Sequence, residues 1–173
     1  MLTEQNLLAR RQARNDFVVL PTVTIGSAYA SGNSIGGVLK IDNSNGVDGP
    51  MVEAWLSAIL QSLVVADFDN QKQPITFYFF NALPSTGVDH ASFTPTESDL
   101  KKLIATVVVG SGDYVSINSM AVASGVNQRN IGAVIKPAGA SAGATAIYVV
   151  AVTLGTPTFT NGLQFRFQFS QGL

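Results

Sequence analysis

The residues that could do chemistry are few, and most are placed where chemistry is not their best use. The single histidine, His90, follows Asp89. A carboxylate that orients an imidazole is the core of many general-base sites. Neighbours in an extended loop project to opposite sides, however, so adjacency alone does not make a dyad. A loop residue at the surface or in a contact is the expectation for His90. Asp67 and Asp69 flank Phe68 in a D-x-D pattern. Calcium loops of the EF-hand type need a longer run of acids, a glycine and a distal glutamate, all missing here, so stabilising a turn is expected instead. Gly110-Ser-Gly112 lacks the Lys-Ser/Thr of a phosphate-binding loop, and no G-x-S-x-G elbow occurs. With no cysteine, disulfides, thiolate catalysis and cysteine-ligated zinc are excluded. A two-carboxylate glycosidase can draw its acids from distant parts of a chain, but nothing positive supports one. The expectation is a protein with no catalytic residue, no metal and no cofactor, and not an enzyme.

Composition points the same way. The 173 residues fit one domain by the usual prior of roughly 100–200 residues. Charged residues make up 12%, against roughly 25% in ordinary globular chains. Ser, Thr, Asn, Gln and Gly carry the polar load. Neutral polar groups cost less to bury against a neighbour than charges do, so a charge-poor surface suits a protein packed into an assembly. The blander alternative is a soluble domain whose surface is simply rich in Ser and Thr. A net charge of −1 and a pI of about 5.7 give no basic footprint for nucleic acid. No run approaches the roughly 20 apolar residues of a membrane helix. The N-terminus lacks the apolar stretch of a signal peptide, and Arg10, Arg11 and Arg14 follow its leucines instead of preceding them. An intracellular site of synthesis is expected.

The elements that must carry these residues are mostly strands. Residues 1–16 read as a separate N-terminal arm with helix-compatible composition, and residues 17–173 as one β domain. The arm is either a frayed terminus or an extension that orders against a neighbouring subunit. From Phe17 the chain turns rich in Val, Thr and Ile, interrupted by Pro21. Gly36-Gly37 should open a strand over 38–41, and Asn43-Ser-Asn-Gly46 marks a turn. Residues 50–57 read as a short helix or insertion, followed by a strand over 58–68. Ile75 to Phe80 is apolar on both faces, as a central strand buried on each side would be. Thr94-Pro-Thr-Glu97 has the pattern of a capping box and predicts one short helix over about 95–103. Strands are then predicted over 104–109, 114–122, 131–136 and 146–154. Leu163, Phe165, Phe167 and Phe169 alternate with Gln164, Arg166 and Gln168, a period of two that should aim one aromatic face into a core. About eight to nine strands with turn signals between them argue an all-β fold, a β-sandwich or jelly roll.

Five pieces, in this order, resemble a family of small bacteriophage virion proteins. They are Tyr29-Ala-Ser-Gly-Asn-Ser-Ile-Gly-Gly37, where the family often has Tyr-x-x-Gly-Asp-x-x-Gly-Gly; Leu60-Gln-Ser62 leading to Asp67; Ile75-Thr-Phe-Tyr-Phe-Phe80 followed by Pro84-Ser85; Phe93-Thr-Pro-Thr-Glu-Ser-Asp99; and Thr156-Pro-Thr-Phe-Thr160 before the last strand. They span about residues 25–170. Asn33 replaces the commoner Asp, residues 46–57 look like an insertion, and the arm lies outside the resemblance. The resemblance implies a β-sandwich of the virion, a capsid decoration or cement protein without catalytic residues. Such a protein would be made in the host cytoplasm and end in the virion capsid. It would bind the major capsid protein and copies of itself as a homo-oligomer, without touching nucleic acid or membrane. The arm residues Leu7, Leu8, Arg10, Arg11 and Arg14 are the expected contact, followed by loops 81–92 and 124–130. A phage neck or tail adaptor and a carbohydrate-binding β-sandwich module are the alternatives.

Overall fold

The alternating phenylalanines of the last strand determine where the core lies. In the computed structural model, which describes residues 14–41, 58–118, 120–123, 134–135 and 146–171, Phe165, Phe167 and Phe169 are fully buried. They belong to β10 (Leu163–Gln171), which lies between β1 (Arg14–Val19) and β3 (Ala58–Asp67). The same sheet continues through β7 (Met120–Ala123) to β6 (Tyr114–Ile117), and β8 (Val134–Ile135) pairs with the start of β3. A second sheet runs β2 (Ser34–Ile41), β9 (Ile147–Thr153), β4 (Ile75–Phe80), β5 (Leu103–Val109). All strand pairs are antiparallel. The first strand pairs with the last and the second with the ninth, so the chain is rolled up as a folded-over ribbon. That order is a jelly roll, one form of the all-β sandwich.

The two sheets meet through aromatic rings. Phe77 of β4 lies edge-on to Phe165 with centroids 5.0 Å apart, and to Phe167 at 6.0 Å. Phe79 meets Phe167 at 5.9 Å, also edge-on. Edge-to-face pairs at such distances place ring hydrogens against the π-face, and add to the burial of area. Phe17, Leu60, Leu63 and Val65 complete the large sheet's inner face, and Ile35, Leu39, Ile41, Val149 and Ala151 the small sheet's.

β4 is apolar on both sides because it is covered on both sides. Its outer face joins Phe80, Val150 and Val152 in a second apolar cluster with Val38, Tyr78, Phe93, Leu103 and Tyr148 packed around it. The cover is the segment 81–102. Phe93 brings its ring to 5.0 Å from Tyr78 and 6.4 Å from Phe80. Gly87, at φ +116, lies so close to the sheet that an added Cβ would sit 2.9 Å from Val38 Cγ2 and 3.1 Å from Val150 Cγ2.

Several boundaries differ from those read in the sequence, each for a local reason. β1 begins at Arg14, inside the expected arm, because residues 14–19 pair with 165–170 of β10. The helix is one turn, α1 (Glu97–Leu100), and its cap is Thr96 with Asp99 at N3 instead of Thr94 with Glu97. The motif repeats two residues on as Thr96-Glu-Ser-Asp99, and the buried Asp99 carboxylate, satisfied by several donors there, determines the register. The strand expected over 114–122 is a hairpin of β6 and β7. Ile117 pairs with Met120, leaving a two-residue turn in which Asn118 takes φ +56, a conformation asparagine tolerates well. Gly36-Gly37 do not precede β2 but sit inside it as a bulge, where the register against β9 shifts between Ile35 and Val38. The helix or insertion expected over 50–57 lies outside the described residues.

Phe167 touches both Phe77 and Phe79, so truncating it leaves a void between the sheets. Phe167→Ala is expected to cost about 3–5 kcal/mol of folding free energy. Urea unfolding followed by circular dichroism checks this; a loss below about 1 kcal/mol would contradict the packing described.

Candidate functional site

Carboxylates are where the unusual geometry concentrates, and several of them hold backbone. Asp89 lies in the covering segment, yet its partners come from the stretch between β1 and β2 and from the bulge inside β2. Its Oδ2 accepts from the Thr24 hydroxyl at 2.7 Å and the Thr24 N–H at 2.9 Å. Its Oδ1 accepts from the Tyr29 hydroxyl at 2.8 Å and the Gly36 N–H at 2.6 Å. Gly36 can present that N–H because it has φ +72 and no side chain; a Cβ would meet Pro21 Cβ at 2.3 Å. The next residue, His90, does not bond Asp89. Its Nε2 is 3.0 Å from the Ala28 carbonyl, and its ring lies against Tyr29 with centroids 4.5 Å apart. Asn33 donates through Nδ2 to the His90 carbonyl. An aspartate at 33 would have no proton to give there, so asparagine suits this chain's arrangement.

Asp99 holds the same segment together from within. It is fully buried and accepts from the N–H and hydroxyl of Ser85 at 2.8 and 2.6 Å, and from those of Thr96 at 3.1 and 2.8 Å. Lys102 Nζ lies 3.3 Å from its Oδ1. The cover of the small sheet is thus tied to the 24–36 region through Asp89 and folded onto itself through Asp99.

A third set joins the β3–β4 turn to the segment before β10. Asp67 is buried and accepts from the N–H groups of Asp69 and Lys72. Asp69 reaches across to accept from the N–H groups of Thr160, Asn161 and Gly162 and from Asn161 Nδ2. Gln71 bonds both backbone groups of Thr158, its side-chain amide copying one rung of a sheet ladder. Tyr114 donates its hydroxyl to the Gln73 carbonyl at 3.0 Å. Tyr29 N–H and Gly26 N–H donate to the carbonyls of Pro157 and Phe159. The loops 20–33, 68–74 and 154–162 are therefore tied together at one end of the sandwich.

These bonds set the protonation behaviour. Burial alone would raise the Asp89 carboxyl, but the donors on Thr24, Gly36 and Tyr29 outweigh it and hold the group below its ordinary value. At Asp69 burial is likewise outweighed, here by Thr160, Asn161 and Gly162. The Ser85 hydroxyl and N–H, with Thr96, hold Asp99 well below the usual carboxylate range against the opposing effect of burial. Burial raises the Tyr29 phenol, and the neighbouring Asp89 raises it further.

In this arrangement Asp69, Asp89 and Asp99 serve structure. Oxygens that accept two or more internal donors are poor bases and poor ligands for an incoming metal. Among the described residues no group of three His, Asp or Glu side chains is placed to hold a metal ion. The expected turn role of Asp67 and Asp69 is what the geometry displays. Of the expected contact residues, Leu7, Leu8, Arg10 and Arg11 lie outside the described residues, and Arg14 opens β1 opposite Ser170. Loop 81–92 forms part of the cover, and loop 124–130 lies outside the described residues. Sequence reasoning missed Asp89 as an organising residue. Its partners are up to 65 positions away, and no local pattern signals them.

Ile25 and Leu154 are exposed on loops at the tied end, and Val115 and Ile117 on β6, which among the described strands pairs only with β7. Val64, Ala66, Gln164 and Arg166 line a shallow hollow on the outer face of the large sheet. No helix among the described residues is long and apolar enough to cross a membrane. Comparison with known proteins gives no match, whether to family models, curated proteins or solved structures.

Tyr29→Phe removes one donor from Asp89 and leaves the ring in place. It is expected to cost about 1–2 kcal/mol in urea unfolding. A group with a depressed folded pKa stabilises the fold above its unfolded value and loses that contribution as pH falls through the folded value. Asp69, Asp89 and Asp99 all behave this way relative to 3.8. The urea midpoint should therefore hold steady down to about pH 5 and fall steeply below about pH 4. Asp89→Asn should flatten that fall; an unchanged slope would remove Asp89 from the account.

Proposed function

We propose that this chain is a bacteriophage capsid decoration (cement) protein, a non-enzymatic structural component that binds the major capsid protein shell and copies of itself. The observation that carries the reading is the use made of its scarce charge. The organising carboxylates of the described residues are engaged by internal donors, many of them backbone N–H groups, while Ile25, Leu154, Val115 and Ile117 stand exposed. Loops already fixed by internal bonds lose little conformational entropy when a neighbour packs on them, which favours contact surfaces built in advance. The jelly-roll order agrees with a virion protein, although that order also occurs in lectin domains and cupins and does not by itself assign a role. The ordered resemblance of Tyr29 to Gly37, Ile75 to Phe80 and Phe93 to Asp99 to small virion proteins is the second support.

The mechanism is mass action. A protein that binds only the assembled shell stabilises it by RT ln(1 + [L]/Kd), about 2.7 kcal/mol per site at a hundredfold excess over Kd. The arm, with Leu7, Leu8, Arg10, Arg11 and Arg14, is assigned the shell contact. A carbohydrate-binding role would need rings on the surface. Among the described residues the exposed large hydrophobics are Leu, Ile and Val without an aromatic, which weighs against that alternative.

The test is co-sedimentation of the purified protein with expanded shells that lack it, with bound copies counted. Saturation at a copy number near that of the major capsid protein is expected. Removal of residues 1–13, which ends before β1, should weaken binding at least about tenfold. Absence of binding to shells would overturn the cement reading and leave the neck or tail adaptor. Full binding without the arm would move the contact elsewhere.

A further inference from the structure

Asn161-Gly162 is the dipeptide most open to spontaneous deamidation, and it sits in the Asp69 clasp. In that reaction the amide nitrogen of the following residue, after losing its proton, attacks the asparagine Cγ. The new C–N bond closes a succinimide ring and the side-chain nitrogen leaves as ammonia. Water then opens the ring to aspartate or isoaspartate. Glycine favours the attack because it lacks a Cβ to hinder the turn.

Asn161 is exposed, so solvent does not protect it. Its groups are instead occupied. Asp69 Oδ2 accepts the Gly162 N–H at 3.2 Å, the bond whose proton must leave. Asp69 Oδ1 accepts Asn161 Nδ2 at 2.7 Å, which fixes the side-chain amide, and the Asn161 N–H lies 3.0 Å from both oxygens. The Thr160 N–H adds a fourth donor at 2.9 Å. A carboxylate facing the Gly162 nitrogen also opposes formation of the amide anion, since two negative charges would then be in contact.

We propose that Asn161 is a latent deamidation site, kept intact by Asp69 and released when that clasp opens. Conversion makes the opening permanent. The product carboxylate has no proton to offer Asp69 Oδ1 and repels it, so residues 160–162 lose their bonds to Asp69 while Gln71 still holds Thr158. The proposal is independent of the role assigned to the protein.

The experiment follows conversion at Asn161 by peptide mass spectrometry during warm, mildly alkaline incubation. The peptides must separate it from Asn45-Gly46, a second such dipeptide outside the described residues. Folded wild type is expected to convert at least about tenfold more slowly than urea-unfolded wild type. Asp69→Ala, shown folded by circular dichroism, should approach the unfolded rate. Equal rates in folded and unfolded wild type would overturn the proposal, and so would a folded Asp69→Ala that stays slow. Should Asp69→Ala not fold, Asn161→Asp supplies the product state. Its hydrogen exchange at Thr160 and Gly162 should rise about tenfold over wild type; unchanged exchange would overturn the claim that conversion opens the clasp.

Discussion

The contact between Phe77 and Phe79 of β4 and Phe165 and Phe167 of β10 is the constraint on which the remaining architecture depends. A strand with large rings on one face must lie where a second sheet can cover them. β10 meets that need only in the middle of its sheet, paired on both edges, with β1 on one side and β3 on the other. The N-terminal strand therefore waits for the C-terminal one. The sandwich cannot close until most of the chain is available, and long-range antiparallel pairing of this kind folds slowly.

β4 sets the second problem. Its outward residues include Tyr78 and Phe80, so the small sheet needs a lid as well as a partner. The chain covers it with an irregular segment instead of a third sheet. Irregular backbone over a buried surface leaves N–H groups without ladder partners, and such groups are costly when unpaired. A carboxylate answers this economically. It offers about four lone-pair sites, and its charge-assisted bonds are stronger than neutral ones. Asp89 and Asp99 together take four N–H or hydroxyl donors each from Thr24, Tyr29, Gly36, Ser85 and Thr96. Asp69 repeats the solution at the far turn. The lid and the tied loop end thus follow from apolarity in β4 and irregularity in what surrounds it.

This division explains what could be read in advance. Strands β4, β5, β9 and β10 were legible because side-chain period and β-branched content are local properties of the chain. The both-face apolarity of Ile75 to Phe80 also foretold a covered central strand. The hairpin at Asn118 was missed because Asn118-Ser119 is a weaker turn signal than Asn-Gly, and Val115, Ile117 and Val122 continue an apolar texture across it. The helix cap was misplaced by two residues because Thr94-Pro-Thr-Glu97 and Thr96-Glu-Ser-Asp99 are equally good on paper. Only the donors from Ser85, brought in by the fold, separate them. Adjacency in sequence points Asp89 toward His90, whereas the fold gives it partners on Thr24, Tyr29 and Gly36. Local pattern reports strands well and tertiary clasps poorly, since a clasp is a relation between distant positions.

The same clasps bear on what a charge-poor chain can be. Few charges limit solubility when a surface faces water on every side. Using carboxylates on backbone limits it further, because the buried Asp99 contributes little hydration to the exterior. A protein arranged this way gains internal order at the expense of surface charge. Exposed aliphatic residues such as Ile25, Leu154, Val115 and Ile117 then stand on elements whose shape is already set. Binding through such residues needs no large rearrangement, and burying them removes apolar area from water at roughly 25 cal/mol per Å². Under the role proposed above, a large number of equivalent neighbours would turn that modest gain per contact into cohesion of a shell.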